Sequence, residues 1–246
     1  GAIRVKDLVK LSAGLDMPAV ALTDRGNLFG ALEFAVTASK AGLQPVIGAV
    51  LGILRGKDER GSSIADPDHL LLLAQDKTGY ENLMSLISEG YLLADGGDPA
   101  VAFDALTGRT EGLIALDGAG GSPLSRHLLD GSSMVETHLA AMKSLFDGRL
   151  YLELQRHGQS FERVLEPRVL KLATAHNLPI VATNDAHFST GDQFDAHDVL
   201  SCIAQGVTLS HRDRKRLTPE HYFKTSQDMT RLFSDLPEAV ENTWRI

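Results

Sequence analysis

The chain has one cysteine, Cys202, among 246 residues, which excludes an intramolecular disulfide and a thiolate-based zinc site. No apolar run approaches the 18 or more residues that a membrane helix needs. A basic segment leading into an apolar one, the mark of a secretory leader, is also missing. These absences fit a cytoplasmic protein with no membrane partner. Positive charge is scarce: 24 lysines and arginines against 32 aspartates and glutamates leave a formal charge of −8. That balance argues against a domain that holds nucleic acid through bulk charge, which needs a basic face. The one cationic cluster, His211-Arg-Asp-Arg-Lys-Arg216, reads either as a solvated loop or as a contact for a phosphate backbone or an acidic partner. The glycine run Asp117-Gly-Ala-Gly-Gly-Ser122 lacks a following Lys-Ser/Thr pair. It is therefore no nucleotide P-loop but a tight strand-to-helix turn. There is no internal repeat and no heptad array.

What the chain does have is alternation. Strand-like runs at Ala19–Thr23, Pro45–Leu54, Leu70–Ala74, Gly112–Leu116, Leu150–Leu154 and from Pro179 are separated by helix-like stretches, the pattern of βαβ units and a mainly parallel sheet. Asn27 is placed to cap a helix with Leu28, Leu32, Ala35 and Val36 on its inner stripe. Gly56–Asp68 reads as a polar turn and Ala94–Pro99 as a loop. After His187 the pattern becomes helical. Ala196, Val199, Leu200 and Ile203 share one stripe, Thr218-Pro219-Glu220 resembles a helix start, and Asp235 with Glu238 resembles a capping box. The fold expected is an α/β barrel over residues 1–206 with a helical extension over 207–246. The chain opens without Met and stops at Ile246 within a helical pattern, and it is read as a piece of a longer protein.

Chemistry concentrates at strand ends. Pro179-Ile-Val-Ala-Thr-Asn-Asp-Ala-His187 is an apolar run that breaks into Asn184, Asp185 and His187. Side chains at i and i+2 of an extended chain project to one side, so Asp185 and His187 can reach one cation. An ordinary strand end, with Asn184 and Asp185 starting a turn, is the alternative. Two further strands end alike, Ala19–Thr23 in Asp24-Arg25 and Leu150–Leu154 in Gln155-Arg156-His157. Reactive groups gather outside the carboxyl ends of parallel strands, so the three ends are expected to share a site. His69, His127, His138, His176, His211 and His221 have no metal-like spacing and read as surface or packing residues. His197 either packs its helix or orients a ligand carboxylate.

Five ordered blocks carry a resemblance: Ala21-Leu-Thr-Asp24-Arg-Gly-Asn27, Pro45-Val-Ile-Gly48, Tyr151-Leu-Glu-Leu-Gln-Arg-His157-Gly158, Val181-Ala-Thr-Asn-Asp185-Ala-His187-Phe188 and Asp195-Ala-His197. Together they resemble the PHP (polymerase and histidinol phosphatase) domain family over essentially the whole chain. The run from Lys224 to Thr243 favours the branch at the N-terminus of bacterial DNA polymerase III alpha subunits over free-standing phosphatases. The resemblance implies a distorted (β/α)7 barrel. In active members His, Asp and Glu from several strand ends hold up to three divalent metals that activate water against a phosphoester. His157, Asp185 and His187 stand at matching positions, and Asp24 lies beside a fourth.

Three departures from the family pattern change what it implies. The opening His-x-His strand is absent, so the barrel is expected to lack its first strand and leave a groove or an unpaired edge. Arg25 stands where active members carry His, and Val50 where they carry Glu. A guanidinium ~4 Å from a monovalent cation is repelled by roughly 4 kcal/mol at an effective dielectric of ~20, and a divalent ion doubles this. Arg25 is expected instead to take the metal's place and pair with Asp24 or Asp185, leaving a Mn, Zn or Mg ion absent or only partly bound. The function implied is a non-catalytic module of a DNA-replicating polymerase. It would be a scaffold for downstream polymerase domains of the same chain, which contact DNA, and a docking surface for a proofreading exonuclease subunit. A metal-dependent phosphoesterase or 3′–5′ exonuclease is the alternative, and a free-standing small-molecule phosphatase a third.

Overall fold

The computed structural model describes residues 1–56, 66–94, 97–211, 214 and 216–246. Helix α1 (Val5–Gly14) leads into strand β1 (Ala19–Arg25), and α2 (Ala31–Lys40) returns the chain to β2 (Gln44–Ile53). Strand β3 (Asp68–Ala74), α3 (Lys77–Leu93) and the two-residue β4 (Ala100–Val101) follow. Then come β5 (Leu113–Asp117), α4 (Pro123–Leu129), α5 (Val135–Leu145), β6 (Leu150–Leu154), α6 (Glu162–His176) and β7 (Ile180–Ala182). The chain closes with α7 (Phe194–Gln205), α8 (Ser226–Leu232) and α9 (Pro237–Glu241). Local chemistry sets several of these limits. Asp76 accepts from Gly79 N at 2.8 Å to start α3. Ser122 accepts from Ser125 N, with Pro123 in the first turn of α4, and Asn177 in the left-handed region ends α6.

The strands form one curled sheet in the order β1-β2-β3-β5-β6-β7, with β4 paired to β2. All pairings are parallel except those of β3, which is antiparallel to β2 and to β5. The carboxyl ends of β1, β2, β5, β6 and β7 and the amino end of β3 therefore lie on one rim. The sheet is a half-barrel: among the described residues β1 and β7 each pair on one side only, which is the unpaired edge expected. Alternation along the strands separates two cores. Leu51, Leu70, Leu72, Leu113 and Ala115 pack under the helices with Phe146 and Phe233, while Leu73, Ile114, Leu116 and Val181 fill the concave side. Gly48 belongs to this packing, because a Cβ there would stand 2.6 Å from both the Leu72 carbonyl and the Leu73 side chain. The last residues are part of the same structure: Phe233 and Ala239 are fully buried in the main core, and Asn242 Nδ2 donates to the Ile180 carbonyl at 2.7 Å.

Several local expectations fail, for definable reasons. Asn27 does not cap α2. Its Oδ1 accepts from Phe29 N at 3.1 Å and its Nδ2 donates to the Arg25 carbonyl at 2.9 Å, closing a turn on itself. Helix α2 then begins at Ala31 and buries Ala31, Phe34 and Ala38, leaving Leu32 and Val36 exposed. Thr218 starts a turn rather than a helix, because its hydroxyl donates to the His157 carbonyl at 2.7 Å. The capping box belongs to Thr225 and Asp228 at α8, while Asp235 is held by Arg156. Most of the polar turn Gly56–Asp68, part of the loop Ala94–Pro99 and part of the cluster His211–Arg216 lie outside the described residues. Of that cluster, Arg214 and Arg216 fold back onto Asp198 and are anchored to the protein.

Candidate functional site at the strand ends

The chain leaves β6 into Gln155-Arg156-His157, and the fully enclosed His157 ring is fixed on both sides. Its Nδ1 lies 3.3 Å from Glu162 Oε1 and its Nε2 3.2 Å from Asn184 Oδ1. The His157 backbone N–H donates to both Glu162 oxygens, at 3.0 and 2.9 Å, and Gln159 N adds a third donor at 2.9 Å. Burial pushes the Glu162 carboxyl up, but these donors and His157 outweigh it and hold the group below its ordinary value. Asn184 in turn donates through Nδ2 to the Tyr222 carbonyl at 2.8 Å. His221 lies flat on His157, with ring centroids 4.0 Å apart and planes 15° apart. Burial, then the adjacent His157, lowers the His221 ring to about 4.

Beyond β7, Asp185 Oδ2 and His187 Nε2 are 3.1 Å apart. Burial opposes charge on Asp185. The hydrogen bond from His187 and the charges of His187, His221 and Arg25 overcome it and hold the carboxyl at about 2. His187 is tied to its surroundings through the backbone, its N–H donating to the His221 carbonyl and its own carbonyl accepting from Ala2 N. His197 packs its ring against Phe188 and the edge of His187, at 5.4 and 5.5 Å. Burial, then His187, lowers it.

On the opposite side of the gap Arg25 does not form the carboxylate pair expected of it. Its Nη1 lies 3.3 Å from His69 Nε2, and it reaches Asp185 only through its field. Val50, its register partner on β2, is half-buried. Asp24 is exposed and makes no ion pair among the described residues. The structure thus joins His157 with Asn184 and Asp185 with His187, linked through His221, and leaves Asp24 apart. Both His157 ring nitrogens are engaged within the protein. No group of three or more His, Cys, Asp or Glu side chains among the described residues converges where it could hold a metal ion.

Three members of the site were not anticipated. His221, which its spacing reads as a surface or packing residue, is buried and packs on His157 at the centre of the site. Glu162 organises the His157 loop. Glu153 is buried next to the rim, accepting from Thr183 Oγ1 and from Gln155 Nε2 at 3.2 Å. Burial raises it to about 7, and the charges of Asp185 and Asp117 push the same way. Its signal was a carboxylate inside the apolar run Leu150–Leu154.

Arg156 fastens this loop to the C-terminal helices. It donates to Glu166 at 2.6 and 2.8 Å, to Asp235 at 2.7 and 2.9 Å and to the Leu232 carbonyl at 2.7 Å. Its guanidinium also lies 4.6 Å from the Phe233 ring centroid. Arg156→Met is expected to lose about 2 kcal/mol, since Asp235 can rehydrate but Glu166 is left partly enclosed. Urea unfolding measures this, and a loss below about 0.5 kcal/mol would show that the fork is a surface ornament.

A profile of the PHP domain matches residues 1–157. Over 248 residues the chain is 43% identical to the DNA polymerase III subunit alpha of Caulobacter vibrioides, covering 99% of this chain and 21% of the relative. The subunit of Rickettsia bellii is 39% identical over 98% of this chain and 20% of its own length. That of Escherichia coli is 38% identical over 100% and 21%. The chain therefore spans about a fifth of the length of the curated relatives it matches.

Proposed function

The chain belongs to the PHP domain family, and from that premise we propose that it is the N-terminal PHP module of a bacterial replicative DNA polymerase, acting as a scaffold without hydrolytic activity of its own. End-to-end likeness to DNA polymerase III alpha subunits supports the polymerase assignment. The non-catalytic reading rests on one observation, the engagement of both His157 ring nitrogens by Glu162 and Asn184. A metal ligand must turn a lone pair toward the ion, and Nε2, the nitrogen not held by the Glu162 carboxylate, faces Asn184 Oδ1 instead. Asp24, His157, Asp185 and His187 are on this reading the remnant of a metal cage, with Arg25 and Val50 as its altered positions. Such a module works in the cytoplasm, beside the downstream polymerase domains that hold DNA, and offers a docking surface to a separate proofreading exonuclease subunit.

The test is made on the full-length polypeptide with a primed template. Nucleotide incorporation is expected, with no Mn²⁺- or Zn²⁺-stimulated release of 3′ nucleotides that depends on Asp185. Divalent-stimulated 3′ release that disappears in the Asp185→Ala and His157→Ala variants would instead establish the domain as a nuclease.

A further inference from the structure

Helix α4 carries the one buried side-chain nitrogen or oxygen that finds no hydrogen-bond partner among the described residues, His127 Nδ1. Such an atom is uncommon in a folded protein and asks for a reason. The other ring nitrogen supplies part of it. His127 Nε2 lies 3.4 Å from Arg126 Nη2, and a guanidinium can only donate, so Nε2 is the bare nitrogen and Nδ1 carries the proton. The ring is therefore neutral, with its N–H enclosed where no acceptor meets it.

Charged groups crowd this ring from the elements that α4 packs against, β3, β5, α5 and α6. Strand β3 offers Asp68, β5 Asp117 and α5 His138, while α6 sends Arg168 to the Leu128 carbonyl and Arg55 arrives from the end of β2. Both aspartates are already committed. Asp68 accepts from Arg55 and from Arg126 Nε. Asp117 faces His138 Nε2 at 2.7 Å and accepts from Leu124 N at 3.2 Å. The His138 ring stands 5.6 Å from that of His127. Burial, then the charges of Arg126 and His138, holds the His127 ring below its ordinary value, against the opposite pull of the two aspartates. A proton added to Nε2 would meet Arg126 donor to donor and cation to cation.

We propose that His127 is a proton-operated latch on α4. With the ring neutral, Arg126 reaches from His127 to Asp68 and clasps the helix to the opening of β3. Protonation expels the half-buried ring toward solvent, parts it from Arg126 and loosens α4 from the rim. An imidazole freed in this way ionises at its ordinary value of 6.5, so at pH 5.5 it is protonated about ten to one. The released form gains about tenfold there over pH 7.5, while the latched form, held neutral, gains nothing. The latch is thus complete above the ordinary value and is lost as pH falls below it.

Hydrogen exchange of the full-length protein, read by peptide mass spectrometry and corrected for the intrinsic pH dependence of the amides, tests the latch. Protection of α4 is expected to fall about tenfold from pH 7.5 to pH 5.5. Helix α3, which contains no histidine, should keep its protection. The His127→Gln variant should lose the pH dependence, because its Oε1 accepts from Arg126 as Nε2 does and never takes a proton. Unchanged protection of α4 across this range overturns the proposal. The same loss in His127→Gln also overturns it and assigns the titration to His138. Exchange at the imidazole C2 carbon, followed in the parent protein, measures His127 without any replacement. A midpoint below 6.5 supports the latch, and a midpoint at or above that value overturns it whether or not the variant folds.

Discussion

Replacing Asp68 by alanine is expected to cost roughly 3–5 kcal/mol, the range seen when one member of an enclosed ion pair is deleted. Asp68 opens β3 at the rim, opposite Ile53 of β2, and its side chain is almost wholly enclosed. Arg55 Nε donates to it at 2.7 Å from the end of β2, and Arg126 Nε at 2.8 and 3.1 Å from α4. One carboxylate therefore joins two strands and a helix. Exposed ion pairs contribute about 0–1 kcal/mol because water and salt screen them. Here the acceptor is sealed, and its loss leaves two guanidinium groups, each about a quarter exposed, facing one another without a counter-charge. For a domain of this size the melting temperature should fall by roughly 10 °C. Thermal unfolding measured by circular dichroism decides: a fall under about 2 °C would mean that solvent replaces the carboxylate at little cost.

Asp68 also shows what kind of feature a sequence hides. Strands β1, β2, β3, β5, β6 and β7 were legible because each carries a short, mainly apolar run bounded by polar residues. Strand β4 was not legible, since two residues carry no periodicity and pair with β2 only because α3 delivers them there. Helices α2 and α7 were correctly read as helices, but their faces were assigned on the premise that an apolar stripe points inward. In α2 the aromatic Phe34 takes the core position. In α7 the ion pairs of Asp198 decide the rotation, and those depend on Arg214 and Arg216, far along the chain. The candidate site shows the same division. Asp185 and His187 could be joined by a two-residue spacing. His221 came within reach of His157 only through a loop whose course is fixed by Thr218 bonding to the His157 carbonyl. The pairing expected of Arg25 failed because the nearby His69, from antiparallel β3, could not be placed beside β1 without the sheet order.

Glu153→Gln is expected to change the pH dependence of stability more than any other single replacement at the rim. The Glu153 carboxyl ionises at about 7 in the folded chain against 4.5 as a free group. Between those values the folded protein keeps a proton that the unfolded chain has released. Stability must therefore fall as pH rises through this window and level off above it. At about 1.4 kcal/mol per decade the loss is roughly 3 kcal/mol by pH 8. A glutamine of the same shape can still accept from Thr183 and Gln155 and never ionises. The variant should match the parent chain near pH 4.5 and exceed it by roughly 2–3 kcal/mol at pH 8. Identical profiles for the two proteins would show that the buried carboxyl is already compensated. The same experiment with Mn²⁺ bears on the metal question. A divalent ion resident beside Glu153 would neutralise the buried charge, lower its pKa and flatten the slope. On the reading of a rim without a cation, the slope persists when Mn²⁺ is added.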